Sequence, residues 1–561
     1  MPELAAEGLR VVGLLDHLKD RRVFGDGIDE RVHVRVPERR TDTNMVGHRE
    51  LVLSRHDEDV VLVEQILQRA EFDVAGVGQA DAVDARAERR SERRDGPVVH
   101  GVSPPGPTAR CKAQTARSAR LCSDAHRRPR RRHGSGESGR QAARRRFQPP
   151  QWAQATLRCH CDQVAILPLP SPTRDAVETW VDDHLGHLFD GPAISSPAFR
   201  GGQRSADAAL AAFDVRGYAA TRNEVAPIER RGASRLSPYI RHGLLPLPEV
   251  WRAVAGGPNR DVEKFRDELL WQEYSRHWYA RLGRATANPV RNAPTDVRPG
   301  DGWDRMLPCL NAVVGELEQD GWLVNQTRMW LAGDWTVRHG QDWRRGEDRF
   351  FRHLLDGSRA ANRLGWQWTT GVGSNKPYGF SRWQVEKRAP ELCKRCPHRD
   401  ACPIDAWPDE PSFVSVDWPA EVDLTGPDEI VTHAAPDTVW LTAESLGTTD
   451  PALSLNPSLP VVFVFDEPLL ARLRLDSKRL VFLTETLAEL AEDHDLELRL
   501  GDPVDELVGR SLAVTHAPVP GFADRASVIR PAEVHPWPWL RKPRPGSVRS
   551  FSAWRKKVDR R

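Results

Sequence analysis

The stretch LDGSRAANRLGWQW, residues 355–368, places a glycine turn, a carboxylate, an amide and two tryptophans within a short length of chain. Its chemically distinctive members are Asp356, Asn362, Trp366 and Trp368. Aromatic faces combined with a few placed polar groups are typical of sites for flat heteroaromatic ligands. The alternative interpretation is an ordinary buried helix that Asp356 caps at its N-terminus.

The residues on either side of this stretch favour an α-helical domain. Eleven of the nineteen tryptophans lie between Trp251 and Trp383. Apolar residues recur at helical spacing over 262–282 and 310–335, and alternation typical of strands is scarce there. We therefore predict an all-helical domain over residues 161–411.

A second polar stretch precedes this helical core. The sequence GASRLSPY, residues 232–239, places glycine and hydroxyl side chains at a predicted helix start. The free backbone N–H groups and the dipole of a helix N-terminus favour a bound phosphate. An ordinary helix cap is the alternative interpretation.

The C-terminal part has a different pattern. After a proline-rich linker at 412–434, short apolar runs at 439–442, 460–465, 496–500 and 511–516 predict buried strands. A charged helix is predicted at 477–493, between the second and third of these runs. Strands that alternate with helices indicate a small parallel α/β domain over 435–561.

Residues 1–160 contain no tyrosine and a single tryptophan, Trp152, and they accumulate arginine, as in RRPRRR at 127–132. Few aromatic side chains are available to fill a core, so we predict a disordered extension. A DNA-binding arm and a start site assigned too far upstream are the two alternatives.

Composition excludes several classes of protein. Eighty-one basic and 79 acidic residues give a net charge of +2, so a nucleic-acid role requires local basic patches. Mean hydropathy is -0.56, and no apolar run is long enough for a membrane span. We expect a soluble, cytoplasmic monomer without a secretory signal.

Three cysteines lie close together in sequence, at Cys393, Cys396 and Cys402, and Cys309 is the candidate for a fourth member of the group. Eight cysteines in 561 residues are too few for a disulfide scaffold, so this group predicts a metal or redox site. A 4Fe-4S cluster is the favoured hypothesis. A structural zinc site or free thiols are the alternatives.

Six blocks in the same order resemble the FAD-binding domain of the DNA photolyase and cryptochrome family. They are FRGG (199–202), YAATRN (218–223), SRLSPY (234–239), ELLWQEY (268–274), NQTRM (325–329) and the 356–368 block. The cysteine spacing further resembles the iron–sulfur branch of bacterial photolyases. The resemblance implies FAD as cofactor, UV-damaged DNA as partner and light-driven electron transfer as chemistry.

For the cofactor, the resemblance implies one group of residues along the FAD phosphates and ribityl chain. These are Tyr218, Ser234, Arg235, Leu236 and Ser237. Arg328 would pair with Asp356 beside the isoalloxazine, and Asn362 would face flavin N5. Ser358 stands where the family usually has an Asp on the N3 and O4 side of the flavin.

For the substrate, the resemblance implies that Trp271 and Trp368 form the cleft for a flipped dimer and that Glu268 hydrogen-bonds it. Arg222 and Asn325 match positions near DNA or the lesion. Gln272 stands where photolyases often have Arg.

Trp343 and Trp366 match the first two members of the chain that photoreduces the flavin in this family. The third member has no clear counterpart, and Trp303, Trp335 and Trp383 are the candidates for it.

The C-terminal segments resemble the family's α/β antenna domain, which ordinarily precedes the FAD domain. They are VWLTAESL (439–446), DPAL (450–453), VVFVFD (461–466), SKRLVFL (477–483), LRLGDP (498–503) and FSAW (551–554). The resemblance implies a Rossmann-like antenna module moved behind the catalytic domain, with an unknown pigment. An unrelated α/β domain is the alternative.

The resulting hypothesis is a deoxyribodipyrimidine photo-lyase that splits cyclobutane dimers, or (6-4) products, with reduced FAD. The rival hypothesis is a cryptochrome-like photoreceptor or regulatory protein that binds FAD without repair activity. Gln272 and Ser358 favour the rival, whereas Glu268, Trp271 and Trp368 favour repair.

Overall fold

The computed structural model describes residues 32–39, 46–53, 165–300, 302–374 and 376–559. The chain divides into two compact units, Met1–Arg146 and Phe147–Arg561. In the first unit, strands β1 (Val32–Arg39) and β2 (Val46–Leu53) pair as an antiparallel hairpin. This hairpin lies inside the segment for which composition predicts disorder. Most of that segment is outside the described residues, so the expectation stays a prediction there.

In the second unit, the first described strand is β3 (Ala165–Leu167), and a helical domain follows it. Its helices are α1 (Arg174–Leu185), α2 (Gln203–Ala212), α3 (Tyr218–Thr221), α4 (Ser237–Arg241), α5 (Leu247–Ala253), α6 (Asn259–Leu282), α7 (Pro308–Asp320), α8 (Asn325–Gly333), α9 (Trp343–His353), α10 (Ala361–Thr369), α11 (Arg382–Arg388) and α12 (Pro390–Lys394). A short sheet joins β4 (Asn292–Pro294) to β5 (Phe413–Ser415) across this domain.

The longest helix, α6, has clear boundary signals. It follows Pro258 and has Asp261 in its first turn and Arg281 in its last, which complements the helix dipole. It ends at Gly283, whose φ of 53° favours glycine. The helical pattern at 310–335 is divided between α7 and α8, because Gly321 ends α7 with a φ of 67°.

The α/β domain follows. Its elements are β6 (Val431–Thr432), β7 (Thr438–Leu441), α13 (Pro451–Leu455), β8 (Val461–Asp466), α14 (Glu467–Leu473), α15 (Ser477–Leu490), β9 (Leu496–Gly501), α16 (Pro503–Leu507), β10 (Leu512–Thr515), α17 (Pro520–Ile529), β11 (Glu533–His535) and α18 (Phe551–Val558). Strands β7 to β10 lie within about one residue of the predicted runs.

The sheet has seven strands in the order β3-β9-β8-β7-β10-β11-β6. The five inner strands are parallel, and the two edge strands β3 and β6 are antiparallel to their neighbours. Two assignments from the sequence therefore change. Strand β3 lies within the range predicted for the helical domain, and β6 lies within the predicted linker, yet both complete this sheet.

Helix α15 connects the α/β domain to the helical domain. Thirteen of its residues are buried, including Arg479 and Phe482. The ring of Phe482 contacts Tyr239 and His242 of the helical domain. The guanidinium of Arg479 donates to the carbonyl oxygen of Gly357 at 3.1 Å, so the α/β domain supports the turn that precedes α10.

No helix in the described ranges is long and apolar enough to cross a membrane.

Candidate functional site

Helix α10 is the centre of the candidate site. It packs against α6, α8 and α9, so side chains from four helices meet around it. Its first turn carries Asn362 and its last turns carry Trp366 and Trp368. The sequence reasoning assigned roles to residues on all four helices, and their packing brings these residues to one region of the fold.

Arg328 on α8 and Asp356 form a two-pronged ion pair. The guanidinium nitrogens Nη1 and Nη2 lie 3.1 and 2.7 Å from Asp356 Oδ1 and Oδ2. Asp356 is buried, and α10 begins only at Ala361, with Ala360 at the N-cap position. Asp356 therefore does not cap the helix. Its carboxylate instead fixes Arg328, as the resemblance implies.

Asn362 has a buried side-chain donor without a partner in the described part of the chain. It is buried, and its side-chain Nδ2 has no hydrogen-bond partner among the described residues. An unsatisfied buried amide costs about 1–3 kcal/mol, so such groups are rare unless something else binds them. A flavin ring provides acceptors for this donor, and the residues present therefore fit FAD.

Several hydrogen bonds stabilise the turn before α10. The Oγ of Ser358 accepts a hydrogen bond from the Ala360 backbone N–H at 3.2 Å. The carbonyl oxygen of Gly357 accepts from Arg241 Nε at 2.9 Å as well as from Arg479. Sequence reasoning assigned no role to Arg241 or Arg479, because each acts through a contact with a backbone carbonyl that no sequence motif indicates.

The residues expected along the phosphates lie where the backbone takes an unusual conformation. Arg235 has a φ of 59°, in the left-handed region that costs a non-glycine residue about 1 kcal/mol or more. Its guanidinium lies over the rings of Phe199 and Trp322, at 4.7 and 5.4 Å. The Trp322 indole donates to Ser237 Oγ at 3.0 Å, at the start of α4.

Tyr218 and Leu236 complete this group as buried residues. The Tyr218 ring packs edge-on against Phe265 at a centroid distance of 5.0 Å. Burial raises the pKa of Tyr218, and the Glu268 carboxylate adds to the rise, so the hydroxyl is neutral. The Gly232 N–H donates to the Thr221 carbonyl, which joins helix α3 to the loop that contains Ser234.

The residues expected to contact DNA are more open. Trp271 and Trp368 are 38% and 44% exposed, on the packed helices α6 and α10. Glu268 lies one turn before Trp271 and forms ion pairs with Lys264 at 3.0 Å and Arg222 at 3.5 Å. Gln272 is half-buried and Asn325, at the start of α8, is exposed. Half-exposed aromatic rings beside a paired carboxylate suit a ligand that enters from solvent.

The tryptophans assigned to electron transfer are buried. Trp343 begins α9, and Trp366 lies on the adjacent α10. The Trp366 ring contacts Phe350 at 5.1 Å, and aromatic contacts continue to Trp303 and Trp335. Two of the three candidates for the third position thus lie in one aromatic cluster with Trp366, whereas Trp383 is 49% exposed on α11.

The four cysteines of the predicted cluster lie in one neighbourhood. Burial raises the pKa of Cys309 to about 12, and charge on Cys393, Cys402 and Cys396 adds to the rise. Burial also raises the pKa of Cys393 to about 11. In the described ranges, no group of three or more His, Cys, Asp or Glu side chains has an arrangement that could hold a metal ion. The geometry therefore does not support a cluster, which stays a prediction.

Comparison with known proteins identifies the central segment. Residues 265–390 match the family described as the FAD binding domain of DNA photolyase. This segment contains Glu268, Trp271, Arg328, Asp356 and Asn362, but ends before the three clustered cysteines. The central part of the second unit is therefore similar to a photolyase-type FAD-binding domain.

Two curated relatives extend the match. The deoxyribodipyrimidine photo-lyase of Thermus thermophilus is 34% identical over 186 residues, 31% of this chain and 43% of the relative. That of Vibrio cholerae is 29% identical over 240 residues, 38% of this chain and 48% of the relative. The chain thus spans less than half the length of these relatives. Over these matched residues, the chain is similar to proteins of the photolyase and cryptochrome family.

Solved structures were also matched. A cryptochrome from Synechocystis is 22% identical, with a TM-score of 0.32 over 36% of this chain and 46% of that chain. A bacterial class III photolyase from Agrobacterium tumefaciens is 24% identical, with a TM-score of 0.30 over 39% of this chain and 46% of that chain.

Proposed function

We propose that this protein is a light-dependent DNA repair enzyme, a deoxyribodipyrimidine photo-lyase that splits UV-induced pyrimidine dimers. The observation that carries the proposal is the position of Asn362. Its unpartnered Nδ2 and the half-exposed ring of Trp368 belong to the same short helix, α10. One helix would therefore contact both the flavin and the lesion.

On the cofactor side, Arg328 and Asp356 would hold the isoalloxazine edge, and Asn362 would donate toward N5 from a buried position. When bound, reduced FAD supplies the electron that opens the dimer. The protein's contribution is position and the exclusion of water. Arg235 and the hydroxyls of Ser234 and Ser237 would bind the phosphates and the ribityl chain.

On the substrate side, Trp271 and Trp368 would stack on a dimer flipped from the duplex, which compensates for the stacking lost in DNA. The Glu268 carboxylate would accept hydrogen bonds from the dimer bases, and its ion pairs with Arg222 and Lys264 hold it in place. Arg222, Gln272 and Asn325 would contact DNA. Phosphate contacts supply much of the affinity in such complexes, so binding should weaken steeply with salt.

The finer features of the hypothesis stay predictions. They are the 4Fe-4S cluster, an antenna pigment in the α/β domain, the choice between cyclobutane and (6-4) lesions, the monomeric state and the cytoplasmic location. The cryptochrome-like alternative would bind FAD but leave dimers intact.

The test is a repair assay on the full chain with chemically reduced FAD and a dimer-containing oligonucleotide. We expect dimers to disappear under blue light and to persist in the dark. Trp271→Ala should remove most of the repair, because stacking contributes about 1–3 kcal/mol per base. Trp407→Ala is the matched control, since Trp407 is a 46% exposed tryptophan to which no role is assigned.

Retention of FAD without dimer loss in any lesion type would overturn the proposal in favour of a photoreceptor. Equal repair by Trp271→Ala and wild type would refute the assigned cleft.

A further inference from the structure

The last helix of the described chain covers one face of a proposed lesion-binding residue. Helix α18 begins at Phe551, and the Phe551 ring stacks on the Trp271 ring at a centroid distance of 3.9 Å and an interplanar angle of 10°. This is a face-to-face contact between a residue near the chain end and one in the centre of α6. Trp271 remains 38% exposed, so part of its ring is still open to solvent.

Helix α18 is fixed firmly against α6. Its first turn is capped by Ser550, whose Oγ accepts from the Ala553 N–H at 3.2 Å. Trp554 is buried, with its ring 5.5 Å from Tyr274 and 5.2 Å from His277. Arg555 forms an ion pair with Asp267 at 2.7 Å.

The segment before α18 is fixed to the same helix. The Tyr274 hydroxyl donates to the Val548 carbonyl oxygen at 2.8 Å. The Arg541 backbone N–H donates to Glu273 Oε1 at 2.8 Å, and His277 Nε2 lies 3.0 Å from the Arg541 carbonyl oxygen. These contacts hold the chain end along the length of α6, so the Phe551 ring has little freedom to move away from Trp271.

A half-exposed tryptophan has few packing contacts that hold its ring in one orientation. Stacking of a flipped base requires that plane in one orientation, and ordering a side chain costs conformational entropy. An aromatic ring that is already stacked on one face of the indole reduces this entropy cost before DNA binds. The opposite face is then the surface left for the dimer.

We propose that Phe551 is a positioning residue for lesion binding: it holds the Trp271 indole in the orientation that stacks on a flipped dimer. The inference rests on the proposed function. Phe551 contacts neither flavin nor dimer in this account and acts only through Trp271. The α/β domain's C-terminal helix thereby becomes part of the substrate cleft.

The experiment uses the full-length, FAD-loaded protein. Phe551→Leu keeps an apolar side chain but removes the planar stack, and Phe551→Tyr restores it. Lys556→Ala, an exposed residue on the same helix, is the matched control. We measure binding to dimer-containing and undamaged oligonucleotides, the splitting rate at saturating protein and the FAD content.

Phe551→Leu should weaken dimer binding by about 3- to 10-fold, the size of an aromatic pair contact. Binding to undamaged DNA, the splitting rate at saturation and FAD content should stay at wild-type values, and Phe551→Tyr should recover dimer affinity. Unchanged dimer binding in Phe551→Leu refutes the proposal. Tighter binding also refutes it, because Phe551 would then occupy the place of the base.

A second measurement does not depend on repair. In protein labelled with 5-fluorotryptophan, the Trp271 ¹⁹F resonance is identified by its loss in Trp271→Phe. It should be narrow in wild type and Phe551→Tyr, and shifted and broadened in Phe551→Leu. An unchanged resonance in Phe551→Leu refutes the positioning role. A wild-type protein that shows no preference for dimers, but whose resonance responds as expected, refutes only the proposed function.

Discussion

The two faces of helix α10 differ sharply. Asn362 and Trp366 are 7% and 2% exposed and face the interior of the helical domain, whereas Trp368, two residues further on, is 44% exposed. The proposed cofactor side is thus buried in protein, and the proposed lesion side is open to solvent. Trp271 on α6 repeats the open character of Trp368.

Because of this contrast, substitutions on the two sides should change the free energy of unfolding by different amounts. The cofactor side is built from buried contacts that support one another, such as the Arg328–Asp356 pair and the hydrogen bonds to Gly357. The lesion side consists of side chains that keep much of their solvent contact. Substitutions should therefore affect folding and FAD binding on the first side, and DNA binding alone on the second.

The largest effect is expected from Asp356→Ala. It leaves the partly buried Arg328 guanidinium without its carboxylate, which should lower the free energy of unfolding by about 3 kcal/mol and release FAD. Urea unfolding and the flavin-to-protein absorbance ratio measure the two effects. Asp214→Ala is the matched control, because the Asp214–Arg216 pair is exposed on both sides and such pairs contribute about 0–1 kcal/mol. Full FAD content in Asp356→Ala would contradict the assigned site.

A smaller effect is expected from Gly346→Ala on α9. A Cβ at this position would lie 2.2 Å from the Trp366 ring, so the helix or the indole must shift. Overpacking of this kind costs about 1–3 kcal/mol, which urea unfolding measures.

The smallest effect is expected from Gly365→Ala on α10, which is the control for Gly346→Ala. A Cβ at position 365 would meet nothing within 4 Å. Alanine is the better helix former, so this variant should gain up to about 1 kcal/mol. Equal free energies of unfolding for the two glycine variants would show that Trp366 is loosely packed.

The sequence predicts four of the five inner strands, β7 to β10, because their signal is local, but it does not predict β11. The run VVFVFD at 461–466 is apolar and β-branched, and the strand forms there with its first five residues buried. Edge strands β3 and β6 have no such signal. They are two or three residues long, and their partners lie far away in the chain.

In the candidate site, too, residues in sequence motifs could be assigned from the sequence, whereas contacts that depend on tertiary packing could not. Roles for Asp356, Arg328 and Asn362 could be proposed from the sequence because these residues stand in ordered motifs. Roles for Tyr218 and Ser234–Ser237 are proposed in the same way, although these residues lie outside the matched segment 265–390. The stack of Phe551 on Trp271 could not be predicted from the sequence, because it depends on how α18 docks on α6. The same holds for Arg241 and Arg479, whose partner is the backbone carbonyl of Gly357.

The most direct test of the two-sided helix compares Asn362→Leu with Trp368→Ala, measuring FAD affinity and dimer-DNA affinity on the same preparations. Asn362→Leu should weaken FAD binding about tenfold or more, because the buried donor is lost. With FAD added to saturation, its affinity for dimer DNA should match wild type. Trp368→Ala should keep FAD and lose about 5- to 100-fold in dimer affinity. If each variant lost both affinities together, or if Trp368→Ala lost FAD alone, the separation of a cofactor face from a lesion face would be wrong.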